Sequence, residues 1–524
     1  MSDDRVRDAR PPPTADVGIG AWIERRARIA PEKPALIHRG VTTTYGQLAD
    51  RIRRLAGGLG HLGVGRGDRV AWIGRNHPAF LESLFGVARL GAVLAPVNHR
   101  LPAEVQRAVL ADTEPVALVV HESGAPDPLP PSIRTRIVVG DGPVAPGDLP
   151  YEALLATAAD PGAGEPVGLD ELCLLPHTSG TTGVPKEVML THGNVTWNVV
   201  DFLSSVDFRG DDVTIAIAPF FRVGGTGVNV LPVVFVGGSV VIPESGDAAE
   251  IIGLIERHRV TVGFANPDLL DALVRGERWP AADLSSLRFV ITGGAPVPER
   301  LIRAFLDRGV PLVQGYGLSE AAPLVLMLRT EDALRKIGAA GRPPLMVDVR
   351  IAGPDGHDVG LGETGELLAR GLNVMAGYWR RPVETAAVLE PDGWLRTGDA
   401  ARMDDEGDVW IVDRVEAGFV AAGRRHYPGD IERVLLTHPA VADVGVVAVP
   451  GPGDDPVPVA FVVARAGSRP GASDLLAFAY DRLPPPERPV EIRFVDALPR
   501  STVGKLLRAE LRAAAIASAG DPPD

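Results

Sequence analysis

Residues 174–186 of this chain read LLPHTSGTTGVPK. The apolar run Glu171–Leu175 is typical of a buried strand, and the loop after it offers four hydroxyl side chains, two glycines and a lysine. Glycine lets the backbone approach an anion, hydroxyl and backbone N–H groups donate hydrogen bonds to phosphate oxygens, and lysine adds a positive charge. The loop therefore favours polyphosphate binding, although on its own it is equally consistent with a structural linker. It is not a Walker loop, because two residues separate Gly183 from Lys186.

The composition is that of a globular protein with more than one domain. The chain has 524 residues, of which 45% are hydrophobic and 23% are charged, and this length predicts about two to four domains. The net charge of −14 argues against a general nucleic-acid-binding or membrane-surface role, while a local basic pocket remains compatible with phosphate binding. The single cysteine, Cys173, excludes an internal disulfide. Its place in an apolar run predicts a buried small side chain, with a reactive thiol as the alternative.

The sequence has no pattern typical of a membrane anchor. Residues 1–16 are charged and rich in proline, so we expect them to be disordered and to be neither a signal peptide nor an anchor. The longest apolar stretch, Val228–Ile242, is interrupted by Pro232 and by two glycines and is too short to cross a bilayer as a helix. These features predict a cytoplasmic protein without membrane insertion.

Strand and helix patterns alternate along much of the chain. Residues 68–73 and 92–97 have the pattern of strands, and residues 78–90 between them have that of a helix. Two later strand patterns, 287–292 and 310–314, are each followed by a glycine-containing turn. This alternation predicts an α/β fold of doubly wound parallel sheets, in which ligands bind at the carboxyl ends of strands.

Four further motifs follow the loop at 174–186. They are GYGLSE at 315–320, WLRTGD at 394–399, DR at 413–414 and LPRSTVGK at 498–505. In this order, the five motifs resemble those of the adenylate-forming (ANL) superfamily, which contains acyl-CoA synthetases, luciferases and the adenylation domains of peptide synthetases. The resemblance covers nearly the whole chain, and an ordered set of motifs is far more specific than one loop.

The resemblance implies a large N-terminal domain of doubly wound sheets with a small β subdomain, and a smaller, mobile α+β C-terminal domain. We expect an N-terminal adenylation domain at 17–413 with its β subdomain at about 341–413, a hinge at 414–417, a C-terminal lid domain at 418–516 and a disordered tail at 517–524. In acyl-CoA synthetases the C-terminal domain rotates about this hinge between the two half-reactions.

The resemblance also implies an ATP site. Its phosphate-binding residues are Thr178, Ser179, Gly180, Thr181, Thr182, Gly183 and Lys186, and its adenine- and ribose-binding residues are Gly293, Gly294, Ala295, Gln314, Gly315, Tyr316, Gly317, Ser319, Asp399 and Arg414. Glu320 is implied to ligate Mg²⁺, and Lys505 to act in catalysis together with Arg414 and Glu320. Without the resemblance, Ser319-Glu320 is equally a helix N-cap with an acidic first turn, Asp399 a turn residue and Lys505 a surface lysine.

A second group of residues resembles the family segment that lines the acyl and thiol channels. It consists of Phe220, Phe221, Arg222, Gly224 and Gly225. A histidine is usual where Arg222 stands. A guanidinium there could hold a small anion or a second carboxylate of the substrate, and a salt bridge at the channel wall is the alternative.

Further departures from the family pattern cluster where coenzyme A chemistry is expected. Residues 422–428 read AGRRHYP where Gly-Gly-Glu-Asn usually precedes Val-Tyr-Pro, and within them Arg424 and Arg425 are assigned to the acceptor channel as contacts for coenzyme A phosphates. Glu416 and Ala417 replace the usual hinge residues. Glu187 stands where glycine usually follows the phosphate-loop lysine.

The motifs predict an ATP- and Mg²⁺-dependent, AMP-forming ligase that adenylates a small-molecule carboxylic acid and transfers the acyl group to coenzyme A. The departures leave a second interpretation open, in which the activated substrate passes to a carrier-protein thiol or an amine. One version of it is a diazotase that activates nitrite and transfers it to an aromatic amine. The sequence leaves the acid, the acceptor and the oligomeric state open, with a homodimer as one option.

Overall fold

The computed structural model describes residues 15–121, 125–140, 144–158, 165–178, 185–295, 297–451, 455–500 and 506–517. Contacts between Cα atoms divide the chain into two compact units. The first unit comprises the residues up to 349 together with 369–395, and the second comprises 350–368 together with the residues from 396 onward. The phosphate-loop, adenine and channel residues therefore belong to the first unit, whereas Asp399 and Arg414 belong to the second.

The first unit contains an eight-stranded sheet. Its strands, in spatial order, are Leu324–Met327, Leu312–Gly317, Phe289–Gly293, Val262–Ala265, Val213–Ile215, Ser239–Ile242, Pro34–His38 and Val41–Thr44. The pairs at the two edges are antiparallel and the pairs between them are parallel. One edge pair is a hairpin that turns at Arg39 and Gly40, whose φ angles of 49° and 74° suit the tight turn that matches strand twist.

A second sheet of nine strands carries the phosphate loop. Its strands, in spatial order, are Gly377–Tyr378, Lys186–Thr191, Leu172–Leu174, Val93–Val97, Arg69–Ile73, Ala117–His121, Thr135–Val139 and Leu149–Pro150, and the short strand His177–Thr178 also pairs with Lys186–Thr191. The pairs from Val93 to Val139 are parallel, whereas Lys186–Thr191 is antiparallel to each of its neighbours.

Helices connect the strands of the first unit. They are Trp22–Ile29, Tyr45–His61, Pro78–Arg89, Ala103–Thr113, Tyr151–Thr157, His192–Ser205, Val223–Gly227, Val230–Val236, Ala248–His258, Pro267–Arg275, Glu299–Leu306 and Pro382–Val388. Local sequence explains where several begin: Thr44 and Gln47 form a capping box at Tyr45–His61, and Thr191 and Asn194 form one at His192–Ser205. The predicted α/β fold of doubly wound sheets is confirmed.

The apolar residues predicted to be buried lie in the interior of this unit. Cys173 is fully buried, and burial raises the pKa of its thiol well above the ordinary value. The prediction that Cys173 is a small buried side chain is thus confirmed. The alternative of a reactive thiol is not supported, because a thiol of raised pKa gives little thiolate at neutral pH.

The stretch Val228–Ile242 divides into a helix and a strand. The helix Val230–Val236 ends at Gly237, whose φ of 90° places it in the left-handed region that favours glycine, and the strand Ser239–Ile242 follows. Within the part of the chain that the structure describes, no helix combines the length and apolar character needed to span a bilayer.

Three smaller sheets contain the remaining strands, most of whose residues belong to the second unit. They are a four-stranded sheet of Val347–Ala352, Gly365–Gly371, Leu395–Met403 and Val409–Arg414, a hairpin of Phe419–Ala421 and Arg424–His426, and a three-stranded sheet of Val441–Pro450, Pro456–Ala464 and Glu491–Phe494. The division between the units falls inside the first three strands of the four-stranded sheet. The helices are Pro428–Leu436, Ala472–Tyr480 and Arg508–Ala517. Ile431, Leu435 and Leu475 are fully buried in a core against the three-stranded sheet.

About half of the predicted β subdomain, about 341–413, is grouped with the C-terminal residues, namely 350–368 and 396–413. The predicted hinge at 414–417 coincides with the 3-10 turn Val415–Ala417, and its role as a hinge stays a prediction. The segments predicted to be disordered, 1–16 and 517–524, lie outside the described residues except for Ala15, Asp16 and Ala517.

The ring of His77 contacts two histidines that end strands, His38 in the eight-stranded sheet and His121 in the nine-stranded sheet. The ring centroid of His77 lies 5.1 Å from that of His38 and 4.3 Å from that of His121. His77 precedes the helix Pro78–Arg89, and its Nδ1 atom accepts a hydrogen bond from the Ala79 N–H at 3.1 Å. Burial, with smaller contributions from His121 and His38, lowers the pKa of His77 to about 3. His77 is therefore neutral at pH 7.

This depressed pKa makes the stability of the fold depend on pH. Between pH 6.5 and about 3 the unfolded chain binds a proton at residue 77 that the folded chain does not. The free energy of unfolding should therefore fall as the pH is lowered, by up to about 2 kcal/mol between pH 7 and pH 5 from this residue. His77→Asn keeps a capping acceptor and removes the titration. Denaturant unfolding at both pH values should show a smaller loss in the variant, and an equal loss would contradict the assignment to His77.

Candidate active site

Two neighbouring parallel strands bring the predicted adenine-binding residues together. The register pairs Gly293 with Gly315 and Thr292 with Gln314 at the carboxyl ends of both strands. A Cβ atom on Gly293 would lie 2.4 Å from the carbonyl oxygen of Gly315, and Gly294 has a φ of 85°, so both positions require glycine. The turn at 293–295 thus lies beside the segment 314–317, which includes the half-buried Tyr316.

Two buried polar atoms lie in these strands without a hydrogen-bond partner among the described residues. They are Oγ1 of Thr292, which is fully buried, and Nε2 of Gln314, which is 5% exposed. Buried polar groups are normally paired, so an unpaired donor and hydroxyl at strand ends are expected where a polar ligand such as a purine supplies the partner. Gln314 was predicted from the motif, whereas Thr292 was not singled out. The sequence signal that could have identified Thr292 is its position directly before Gly293 and Gly294.

Tyr378 connects the candidate magnesium ligand with the phosphate-loop lysine. Its phenol donates a hydrogen bond to Oε1 of Glu320 at 2.7 Å. The Nζ atom of Lys186 lies 5.1 Å from the centroid of the same ring, within the range of a cation–π contact. Glu320 is part of the 3-10 turn Ser319–Ala321, and the residue before that turn is Leu318, so the interpretation of Ser319 as a helix N-cap is wrong.

The phosphate loop is closed by a short antiparallel pair. Thr178 pairs with Lys186, and His177 pairs with Glu187. Ser179, Gly180, Thr181, Thr182 and Gly183 lie outside the described residues, as does Lys505. Thr178 and Lys186 are therefore the predicted phosphate-binding residues that the structure places, and both are half-buried.

The channel segment follows the strand Val213–Ile215. Asn76 holds it, because its side-chain amide donates to the carbonyls of Ala216 and Ala218 and its Oδ1 accepts from the Phe220 N–H at 2.8 Å. Phe220 is buried, with its ring centroid 5.1 Å from that of Phe80. A Cβ atom on Gly225 would lie 2.0 Å from a backbone oxygen of the same segment, which explains that glycine, and Gly224 lies beside the Phe264 ring. Asn76 was not singled out from sequence.

Arg222 carries a half-buried positive charge in this segment. Its guanidinium carbon lies 5.9 Å from the centroid of the Phe221 ring, and burial, together with the nearby Arg100, lowers its pKa. Among the described residues, neither Arg222 nor Arg100 forms an ion pair. The alternative of a salt bridge at the channel wall therefore gains no support from the described residues.

The second unit holds the remaining predicted residues. Asp399 and Arg414 are directly opposite on neighbouring antiparallel strands, with Oδ1 of Asp399 3.0 Å from Nη1 of Arg414. Arg424 and Arg425 are exposed in the hairpin that turns at residues 422–423. Nη1 of Arg425 donates to the carbonyl of Val415 at 3.1 Å. The nucleotide and coenzyme A roles of these four residues stay predictions.

The residues around Glu320 are compatible with Mg²⁺ in a nucleotide complex. In the described residues no group of three or more His, Cys, Asp or Glu side chains forms a ready ligand set. Magnesium is usually held by one or two carboxylates together with substrate phosphates and water. A single carboxylate oriented by Tyr378 near Lys186 fits that pattern.

Comparisons with known proteins identify the family of this chain. The AMP-binding enzyme family model matches residues 23–379, and the AMP-binding enzyme C-terminal domain model matches residues 430–505. The chain is 42% identical to a feruloyl-CoA synthase of Amycolatopsis over 94% of this chain and 98% of that protein. It is 38% identical to an indoleacetate–CoA ligase of Aromatoleum aromaticum over 94% and 97% of the two chains.

Solved structures show the same fold. An O-succinylbenzoate coenzyme A synthetase from Bacillus subtilis, in complex with ATP and magnesium, is 28% identical, with a TM-score of 0.80 over 94% of this chain and 98% of that one. Motif order, strand-end geometry and these matches agree, and the chain belongs to the AMP-binding enzyme family, the adenylate-forming (ANL) superfamily.

Proposed function

We propose that this protein is an ATP-dependent, AMP-forming ligase that converts an aromatic carboxylic acid into its coenzyme A thioester. The observation that carries the proposal is the contact of Tyr378 with both Glu320 and Lys186 beside the phosphate loop. The aromatic substrate class is supported by relatives named for ferulate and indoleacetate. ATP, Mg²⁺ and coenzyme A are the implied co-substrates and metal.

The first half-reaction joins two anions, so positive charge must offset their repulsion. A carboxylate oxygen of the acid attacks the α-phosphorus of ATP, the bond to the β-phosphate oxygen breaks, and pyrophosphate leaves. Lys186 and Thr178 are proposed to hold the departing phosphates, and Lys505 to neutralise the attacking oxygen and α-phosphate. Mg²⁺, when bound at Glu320, supplies further positive charge to the triphosphate. Thr292 and Gln314 would supply polar contacts to adenine.

In the second half-reaction the thiol of coenzyme A replaces AMP. Its sulfur attacks the acyl carbonyl carbon, the bond to the AMP phosphate oxygen breaks, and the thiol proton passes to solvent. Arg222 is proposed to attract anionic groups into the channel segment, because its charge has no ion-pair partner among the described residues. Arg424 and Arg425 are proposed to contact the phosphates of coenzyme A.

The alternative acceptor is an amine, with nitrite as the activated anion. The relatives described above are acid–CoA ligases by name and give this alternative no support. The unpaired charge of Arg222 suits a small anion as well as a carboxylate, so the same assay should include both.

The assay measures AMP and pyrophosphate released from ATP and Mg²⁺ by the purified enzyme. Ferulate, indoleacetate, a short and a long fatty acid and nitrite are each tested with and without coenzyme A or an aromatic amine. We expect an aromatic acid to give the highest kcat/KM, AMP release to rise strongly with coenzyme A, and mass spectrometry to identify the thioester. Turnover that requires an amine and ignores coenzyme A would contradict the proposal, and preference for a long fatty acid would overturn the aromatic substrate class.

A substitution at Tyr378 tests the magnesium assignment. Tyr378→Phe keeps the ring beside Lys186 and removes the hydroxyl that orients Glu320. Loss of such a supporting hydrogen bond typically weakens metal affinity by about 10- to 100-fold. The Mg²⁺ concentration for half-maximal adenylation should therefore rise at least about tenfold, while Mg²⁺-free AMP binding stays unchanged. An unaltered Mg²⁺ dependence would remove Glu320 from the metal site.

A further inference from the structure

Glu187 forms a buried pair with His177 at the base of the phosphate loop. The Glu187 side chain is 0% exposed and that of His177 is 5% exposed, and Oε1 of Glu187 lies 3.4 Å from Nε2 of His177. The two residues are directly opposite on the short antiparallel pair that closes the loop, next to the pair of Thr178 and Lys186. The mechanism proposed above does not use either side chain.

The two ring nitrogens of His177 face different partners. Nδ1 of His177 lies 3.0 Å from the carbonyl oxygen of Pro96, and a carbonyl only accepts, so Nδ1 carries a proton. Nε2 faces Oε1 of Glu187. Burial by itself raises the pKa of Glu187, but the contact with His177 and its charge outweigh burial, and the pKa is lowered. His177 thus links the backbone at Pro96 to the strand that carries Glu187.

Residues of the helix Ala103–Thr113 and of the segment 377–381 also contact Glu187. The Thr113 hydroxyl at the end of Ala103–Thr113 lies 3.3 Å from Oε1 of Glu187. The neighbouring carboxylate of Asp112 is paired with Arg381 at 2.7 Å. The backbone N–H of Trp379 donates a hydrogen bond to the backbone carbonyl of Glu187 at 2.9 Å. The strand that begins at Lys186 is thus fixed from the helix, from the loop base and from the 377–381 segment.

Because side chains alternate along a strand, the burial of Glu187 also determines the direction of Lys186. Successive side chains of a strand point to opposite faces, so a strand that holds Glu187 inward turns Lys186 to the other face, where its Nζ lies near the Tyr378 ring. Tyr378 itself is paired with Val188 on the same strand. One anchored residue therefore sets the direction of Lys186 and the position of the tyrosine that holds Glu320.

We propose that Glu187 and His177 are positioning residues for ATP: their buried pair fixes the strand register that aims Lys186 and Thr178 at the β- and γ-phosphates. Loss of either partner leaves the loop base able to shift. A misplacement of about 1 Å in an enzyme site can lower the reaction rate about 100-fold. Binding of AMP, which lacks both phosphates, does not depend on the pair.

The test compares equilibrium binding of ATP and of AMP, each with Mg²⁺, by calorimetry on the full chain. Glu187→Gln removes the charge, and His177→Asn keeps a donor near the Pro96 carbonyl while it removes Nε2. We expect each variant to weaken ATP binding at least about tenfold and to change AMP binding less than about twofold. The double variant should be no weaker than the worse single variant, because both changes break one interaction.

Glu82→Gln is the matched control. Glu82 is also buried and paired with Arg51 at 2.6 Å, and it lies in the helix Pro78–Arg89. This control should lower Tm and leave the ATP-to-AMP affinity ratio unchanged. The proposal is overturned if Glu187→Gln binds ATP normally, if it weakens ATP and AMP equally, or if the two single losses multiply in the double variant. If Glu187→Gln does not fold, the ratio of ATP affinity to AMP affinity in His177→Asn tests the proposal by itself, and an unchanged ratio overturns it.

Discussion

The pairing of strand Lys186–Thr191 with its neighbours is the constraint on which the candidate site depends. This strand pairs with His177–Thr178 at the base of the phosphate loop, with Leu172–Leu174 in the sheet and with Gly377–Tyr378 on its other side. Two segments that precede the phosphate loop and the distant segment 377–378 therefore meet along these six residues. Because the side-chain period of a strand is two, a slip of one residue would turn Lys186 away from Tyr378 and expose Glu187. The positions of these site residues are therefore set by the register of this strand with its neighbours.

The charge of Arg222 has a different environment from two buried carboxylates of the first unit. Glu82 is paired with Arg51, and Glu187 with His177. Arg222, in contrast, has no ion-pair partner among the described residues. An unpaired half-buried cation is costly in the free protein, and an anionic substrate would repay part of that cost. This contrast supports an anion-handling enzyme despite the net charge of −14.

The sequence predicted the fold well because its signals are local. Strand–helix alternation, the Arg39-Gly40 turn and the glycines at 293–294 each express a constraint that acts within a few residues. The sequence could not reveal contacts made by pairing across the chain, such as those of Tyr378 with Glu320 and of Glu187 with His177. Glu187 appeared only as a departure from a family pattern, because its burial and its contact with His177 depend on how the strands 177–178 and 186–191 pair. The contact of Asn76 with Phe220, 144 residues apart, was hidden for the same reason.

A crystal structure of the enzyme with Mg²⁺ and a non-hydrolysable ATP analogue tests the central claim most directly. We expect adenine to lie against residues 293–295 and Tyr316, with its polar edge within hydrogen-bonding distance of Thr292 or Gln314. We also expect Mg²⁺ to contact Glu320, and Nζ of Lys186 to have moved from the Tyr378 ring to the β- or γ-phosphate. A nucleotide bound elsewhere, or a triphosphate that contacts neither Glu320 nor Lys186, would contradict it.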